Sequence, residues 1–284
     1  MPVDEIIAYD DQHPSHRLGQ YNAWRLHDHP TTPFDLIWVS VARADTPMAH
    51  RVLPHGEPSL AIRRQRDRDG DVKAIALTVC GPLRQAMWYH PEAREELIAI
   101  RLKPEMAAHI YGVAPGDYFD QPPASAPAAL AAACAGTLRL AETGSPLEIA
   151  EQLAGDLCQW AATHETRQTP EIAAAAMLRK LEGRAHCTEL AKRLEISERH
   201  LRRRFRDHLG CSPKFYARQL RLTAAALMAE ISPAPVWAQI AAATGFHDQA
   251  HMINEFQSMA HLTPQQFHME RTALSAFSNT LTGQ

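Results

Sequence analysis

The sequence predicts an α+β protein: a β-rich α/β front domain followed by an all-α back domain, in which a linker helix joins two helix-turn-helix units. Three observations carry this. Residues 34–103 hold short runs of Val, Ile and Leu bounded by Pro, Gly and Asp, the pattern of strands and turns. From Ala124 onward the apolar spacing changes to three and four, the period of an amphipathic helix. The charge divides with the period: residues 1–166 carry 14 basic against 22 acidic side chains, a balance of −8, whereas 167–284 carry 15 against 10, a balance of +5. The formal charge of −3 over 284 residues hides that division. An acidic front joined to a basic back points to two domains with different partners.

In the front half PFDLIWVSVA, PSLAIRRQ, DVKAIALTV and ELIAIRL read as strands. SLAIRRQRDRDGDVKAIALTV reads as a hairpin, with Asp69 and Gly70 supplying the positive φ of a tight turn. Its arginines, Arg63, Arg64, Arg66 and Arg68, alternate with Asp67, Asp69 and Asp71, so a solvated tip is expected rather than a nucleic-acid patch. APAALAAACAGTLRLAE and PLEIAEQLAGDLCQWAATHE are helical, divided at Thr143-Gly144-Ser145-Pro146, where Gly stops one helix and Pro starts the next. ETRQTP, residues 165–170, is a polar linker. The expected division is therefore 1–123 as a β-rich regulatory domain, 124–165 as a helical segment that extends it or dimerises, 167–270 as the back domain, and 271–284 as a loose tail.

The start MPVDEIIAYDD lacks the basic and apolar stretches of a secretory signal, and Ala124 to Ala141 is too short and polar to span a bilayer. Cys80, Cys134, Cys158, Cys187 and Cys211 are odd in number and form no CxxC pair. A reducing, cytoplasmic location is expected, with no cofactor and no metal. His27-Asp28-His29 hints at a cupin metal site, but the companion Glu, glycines and third His are not at the needed spacing. Trp24, Trp38, Trp88 and Tyr89 are expected in the core of the β domain. A nucleophile elbow, a P-loop and a dinucleotide glycine motif are all lacking, so the expected function is binding, not catalysis.

The basic half carries the informative pattern. In HCTELAKRLEISERHLRRRFRDHLG, a first helix turns Leu190, Ala191 and Leu194 inward, Ile196 closes a turn, and Ser197 caps a second helix that buries Leu201, Phe205 and Leu209 before Gly210. This is a helix-turn-helix, whose second helix can enter a DNA major groove. Arg199, Arg202, Arg203 and Arg206 lie opposite the buried stripe, where guanidinium groups can pair with guanine or neutralise phosphates. SPKFYARQLRLTAAALMAE is a linker helix beginning at the Ser212-Pro213 cap, with Lys214 in its first turn as a further DNA contact. In PAPVWAQIAAATGFHDQAHMINEFQSMAHLTP the pattern repeats: Trp237, Ile240, Ala241 and Thr244 on one face, Gly245-Phe246 at the turn, Asp248 as cap, Met252 and Phe256 inward.

LAKRLEISERHLRRRF, LGCSPKFYARQLRL and IAAATGFHDQAHMINEF with its closing LTPQQF resemble, in order and spacing, the DNA-binding domain of AraC/XylS-type transcriptional regulators over about 167–270. The resemblance implies seven helices and promoter binding, with base-reading positions at Arg199, Arg202 and Arg203 in the first unit and at Gln249, Ala250, His251, Ile253 and Asn254 in the second. PFDLIWV, RVLPHGEPSLAI and AIRLKPEMAAHIYGVAPGDYFD are similar to a poorly characterised N-terminal domain of such regulators, which implies a sensing role. The expected partners are double-stranded promoter DNA, RNA polymerase for an activator, a small effector and a second copy of the chain, with no membrane. Two alternatives stand beside this: a constitutive binder without effector, and an alkyl-repair methyl acceptor, which would need an activated thiolate that Cys80, without an adjacent His, is not placed to supply. One departure from the family pattern matters. Residues 184–221 hold 11 basic against 4 acidic side chains, but 222–271 hold 1 against 4. Lopsided binding is expected, in which the first unit anchors and Glu255 works against the second.

Overall fold

The computed structural model describes residues 6–8, 19–26, 32–45, 47, 49–104, 119–164 and 169–276. Among the described residues nine strands run in chain order: β1 (Ile6–Ala8), β2 (Gly19–Leu26), β3 (Phe34–Ala42), β4 (His50–Val52), β5 (Ser59–Arg66), β6 (Val72–Cys80), β7 (Met87–Tyr89), β8 (Glu95–Leu102) and β9 (Ala124–Ser125). Seven of them form one antiparallel sheet in the order β1-β2-β3-β8-β5-β6-β9, and β4 pairs with β7 as a separate ribbon. Alternation along the strands puts Ile37, Ile100, Leu60 and Val79 in one cross-strand row and Val39, Ile98, Ile62 and Leu77 in the next, all on one face.

Three helices cover that face: α1 (Ala128–Ala133), α2 (Ala135–Leu140) and α3 (Pro146–Ala162). Leu130, Cys134, Ala141, Ile149, Ala150, Leu153 and Leu157 join the strand residues in a single core. The expected first helix is broken at Cys134, and α3 opens with a capping box between Ser145 and Glu148 and Pro146 in its first turn. The apolar stripes on which dimerisation rested are thus spent on the sheet.

The hairpin arginines require a correction. Gly70 alone has positive φ (93°), and Asp67 accepts the Asp69 and Asp71 amides across the turn. Only Arg68 is solvated as expected. Arg64 is fully buried, pairs with Glu96, and donates to the carbonyls of Ala141 (3.0 Å) and Gly144 (2.7 Å), so a sheet side chain closes the end of α2. Arg66 pairs with the same carboxylate at 2.7 Å, and Arg63 grips Glu95. Strand pairing explains this, because β5 and β8 place Arg64 opposite Glu96 and Arg63 opposite Leu97, two residues from Glu95 and so on the same face as it. Trp88 is a second correction: it is exposed, stacked under Arg51 (4.7 Å) instead of lying in the core. Trp24 packs on the core, and Tyr89 is half-buried and donates to Glu95. His27, Asp28 and His29 lie outside the described residues.

Seven helices fill residues 170–276: α4 (Pro170–Lys180), α5 (Cys187–Arg193), α6 (Glu198–Leu209), α7 (Pro213–Glu230), α8 (Trp237–Ala243), α9 (Gln249–Ala260) and α10 (Pro264–Ala276). They build two cores that share α7. One gathers Ala174, Leu178, Leu190, Ala191, Leu201, Phe205 and Tyr216; the other gathers Leu222, Ala226, Ile240, Met252, Phe256 and Phe267. Of the loose tail expected from 271, residues 271–276 belong to a helix instead, and 277–284 lie outside the described residues. Arg271 is paired with Glu230 at 3.0 Å, and α10 runs to Ala276. Among the described residues no helix is long and apolar enough to cross a membrane.

Glu96→Ala would leave Arg64 charged and buried without its counter-ion, so urea unfolding should show a loss of ~3–5 kcal/mol. Arg68→Ala at the solvated tip should change stability by less than ~0.5 kcal/mol.

Candidate nucleic-acid interface

The first unit is set by burial on one side. Leu201, Phe205 and Leu209 are buried at four-residue spacing along α6, which leaves Arg199, Arg202, Arg203 and Arg206 exposed along the opposite side at i, i+3, i+4 and i+7. Together with Ser197, Glu198 and His200 these four arginines border one open surface. The helix starts where the Ser197 hydroxyl accepts the His200 amide, and it stops at Gly210, in the left-handed conformation (φ 69°). Arg204, the arginine on the wrong side for that surface, is used structurally. It makes two bonds, 2.6 and 3.1 Å, to the fully buried carboxylate of Glu171 on α4, with His208 at 3.0 Å.

Arg202 is held by Glu198 one turn before it, at 2.6 Å, with Thr188 donating to the same carboxylate. An exposed i,i+4 pair is worth only ~0.3–0.5 kcal/mol. A bidentate contact to guanine discriminates by ~1–3 kcal/mol. The second exceeds the first, so Glu198 parks Arg202 without sequestering it. Among the described residues, none of the hydrogen bonds or ion pairs made by Arg199, Arg202, Arg203 or Arg206 reaches the acidic front domain.

The second unit repeats the backbone of the first. Leu194, Glu195 and Ile196 donate their amides to Leu190, Lys192 and Ala191; Thr244, Gly245 and Phe246 donate to Ile240, Ala242 and Ala241. The central residue is left-handed in both turns, Glu195 at φ 54° and Gly245 at φ 78°. Asp248 caps α9 by accepting the His251 amide at 2.7 Å. Gln249, Ala250 and Asn254 are exposed, whereas Ile253 is half-buried. His251 is engaged locally: Nδ1 accepts the His247 amide (3.3 Å), Nε2 faces Glu255 (3.5 Å), and the ring meets Phe246 edge-on. Of the polar groups singled out on this helix, Gln249 and Asn254 are therefore the outward ones. Lys214, exposed in the first turn of α7, stands between the two units in the chain.

The expectation that Glu255 opposes an anion needs correcting. Arg218 of α7 pairs with it at 2.6 Å. Arg221 lies over the Phe246 ring (5.7 Å), and the Arg184 side chain lies against Gly245. Three cations from outside the second unit thus flank it, a contribution invisible to a charge count over contiguous residues.

Two domain families match the chain: a helix-turn-helix domain over residues 190–270 and a domain of unknown function (DUF6597) over residues 34–122. The first span covers both tandem units and the rod between them. The chain carries an AraC-type helix-turn-helix domain. The matched domain, over residues 190–270, is of the kind found in DNA-binding transcription regulators. Solved structures with similar arrangements include a transcriptional regulator with an AraC-type DNA-binding domain from Chromobacterium violaceum (25% identity over 36% of this chain and 92% of that one, TM-score 0.33). ToxT from Vibrio cholerae is 12% identical over 89% of this chain and 98% of its own, with a TM-score of 0.41. The form of ToxT with an unsaturated fatty acid bound is 8% identical over 82% and 95%, with a TM-score of 0.43. No curated protein matches the chain.

The thiol chemistry of the front domain runs against activation. Burial raises the thiol pKa of Cys80, and it pushes Cys134, also in the front domain, up to about 12. An alkyl acceptor needs the reverse.

Burial alone would raise the Glu171 carboxyl, but the Arg204 fork and the nearby His208 outweigh it and hold it at about 2, against an ordinary 4.5. A depressed carboxylate stabilises the fold above its unfolded pKa and stops doing so as pH falls through the folded one. Glu171→Gln should therefore destabilise the native chain by ~3 kcal/mol at pH 7. In urea unfolding, the gap between variant and native chain should begin to close below about pH 4.5 and vanish towards about pH 2.

Proposed function

We propose that the chain is a sequence-specific promoter-binding regulator whose α6 enters the major groove and whose front domain, residues 6–164, acts as one controlling module that answers a small effector. The observation that carries this reading is the stripe of Arg199, Arg202, Arg203 and Arg206, held outward by the burial of Leu201, Phe205 and Leu209 behind it. Arg199, Arg202 and Arg203, on the first two turns, would meet base edges. Arg206 and Lys214 would take phosphates, which position the domain without reading sequence. Gln249 and Asn254 would read from the second unit through neutral donors and acceptors, as Asn and Gln do with adenine, while His251 holds the start of α9. The effector would act by favouring one of two arrangements of front domain against back domain, and it can do so only through different affinities for the two.

The affinity should be uneven between the units, because the charge is. On a site selected from random duplexes by the full chain, Arg202→Ala should weaken binding by ~1–3 kcal/mol, relax preference at one base pair and leave the fold intact. His251→Ala combined with Asn254→Ala should cost less than Arg202→Ala in the same gel-shift titration. An equal or larger loss in the double variant would mean that the second unit reads as strongly as the first.

A further inference from the structure

Among the described residues, the front domain reaches the back domain through contacts around the β4–β7 ribbon, and these touch both helix-turn-helix subdomains. On the first side, Phe119 is buried in the core with Leu201, Phe205 and Tyr216. The buried Tyr216 hydroxyl of α7 donates to Glu57 at 2.6 Å, and burial together with the Glu57 carboxylate pushes this phenol well up, so that it remains the donor. Gln219, one turn further along α7, donates to the Leu83 carbonyl at 2.5 Å. On the second side, the Ala86 amide donates to Met259 O (2.7 Å), and Leu53 and Ala86 pack on the core of α8, α9 and α10. Arg51 makes two 3.1 Å bonds to Glu270 and a third, also 3.1 Å, to the Ala260 carbonyl, while Arg271 donates back to Arg51 O at 3.2 Å. The Leu83 amide to His55 carbonyl bond ties the two flanks of the ribbon together.

We propose that this ribbon is a brace that fixes the second helix-turn-helix unit relative to the first, and that Arg51 is its positioning residue. The proposal rests on the DNA-binding reading above and adds a role that neither unit has alone. The second unit lacks its own lysines and arginines, so contacts through Gln249 and Asn254 are worth little if it must first be ordered on the duplex. Held rigidly, it meets the DNA as an intramolecular second site, and weak contacts then count in full. The brace grips the carboxyl end of α9 and α10, away from Gln249 and Asn254 at the amino-terminal half of α9, so it orients the reading surface without covering it.

The test is a mutant cycle on a site selected by the full native chain, read by gel-shift titration and by hydroxyl-radical footprinting. His251→Ala with Asn254→Ala should weaken the native chain ~3–10-fold, a modest term on a scale where tenfold is one large contact. Arg51→Ala should weaken binding by a similar factor, and in that background the double substitution should cost less than ~2-fold, a coupling that independent sites do not show. The footprint of Arg51→Ala should keep the first half-site and lose protection over the second. Glu270→Gln removes the same ion pair from the other side and should reproduce both effects, with urea unfolding checking that each variant is folded. If the double substitution costs as much in folded Arg51→Ala and Glu270→Gln as in the native chain, the brace is overturned while the DNA-binding reading stands. A native chain that selects no preferred sequence overturns both.

Discussion

Burial of Phe205 and its neighbours on α6 is the constraint from which the rest of the basic half follows. An amphipathic helix can turn only one stripe inward. With Leu201, Phe205 and Leu209 committed to the core shared with Leu190, Ala191 and Tyr216, the direction of every arginine on α6 is decided. Arg204 falls towards α4 and is neutralised by a buried carboxylate, and the other four face outward. The outward-facing charge is thus a by-product of packing, and no separate device is needed to aim it.

Local periodicity and cap chemistry made most of the elements legible. The four strands expected between residues 34 and 103 are β3, β5, β6 and β8, and the caps at Ser145, Ser197, Ser212 and Asp248 each accept the amide that their position requires. The signal failed where tertiary pairing decides. Arg64 alternates with acidic residues in a polar-looking run, so its sequence neighbourhood says solvent; its burial is set by Glu96 across the sheet and by two carbonyls at the end of a helix nearly 80 residues away. The three-residue β4 and β7 have no periodicity to detect, and they pair over a separation that local patterning does not span. The site shows the same division. The arginine stripe of α6 could be read directly, whereas the pairing of Arg218 with Glu255 could not, because it joins two helices.

Charge asymmetry between the two units is real in the chain and smaller in space. A count along the sequence assigns every cation to the unit that contains it, although Arg184, Arg218 and Arg221 project their side chains across the boundary. Electrostatic potential at a phosphate depends on distance and not on sequence order, and at ordinary ionic strength only charges within about 10 Å act strongly. The linker helix is therefore more than a spacer. At 18 residues and 1.5 Å per residue it is about 27 Å long, and it carries part of the cationic surface of the unit that follows it.

Gly56 shows how closely the halves of the chain are fitted. A β-carbon there would stand 2.4 Å from the Tyr216 ring, so the loop reaches α7 only because it has no side chain at that point. Taken with the three bonds of Arg51, this means that the carboxy-terminal third is not a portable cassette. Grafted behind an unrelated sensor, it would keep every residue of its tandem motif and still hand Glu270, the Ala260 carbonyl and the Tyr216 hydroxyl from their partners to water, and a hybrid regulator that looked seamless in an alignment would have lost the surface on which its parts meet.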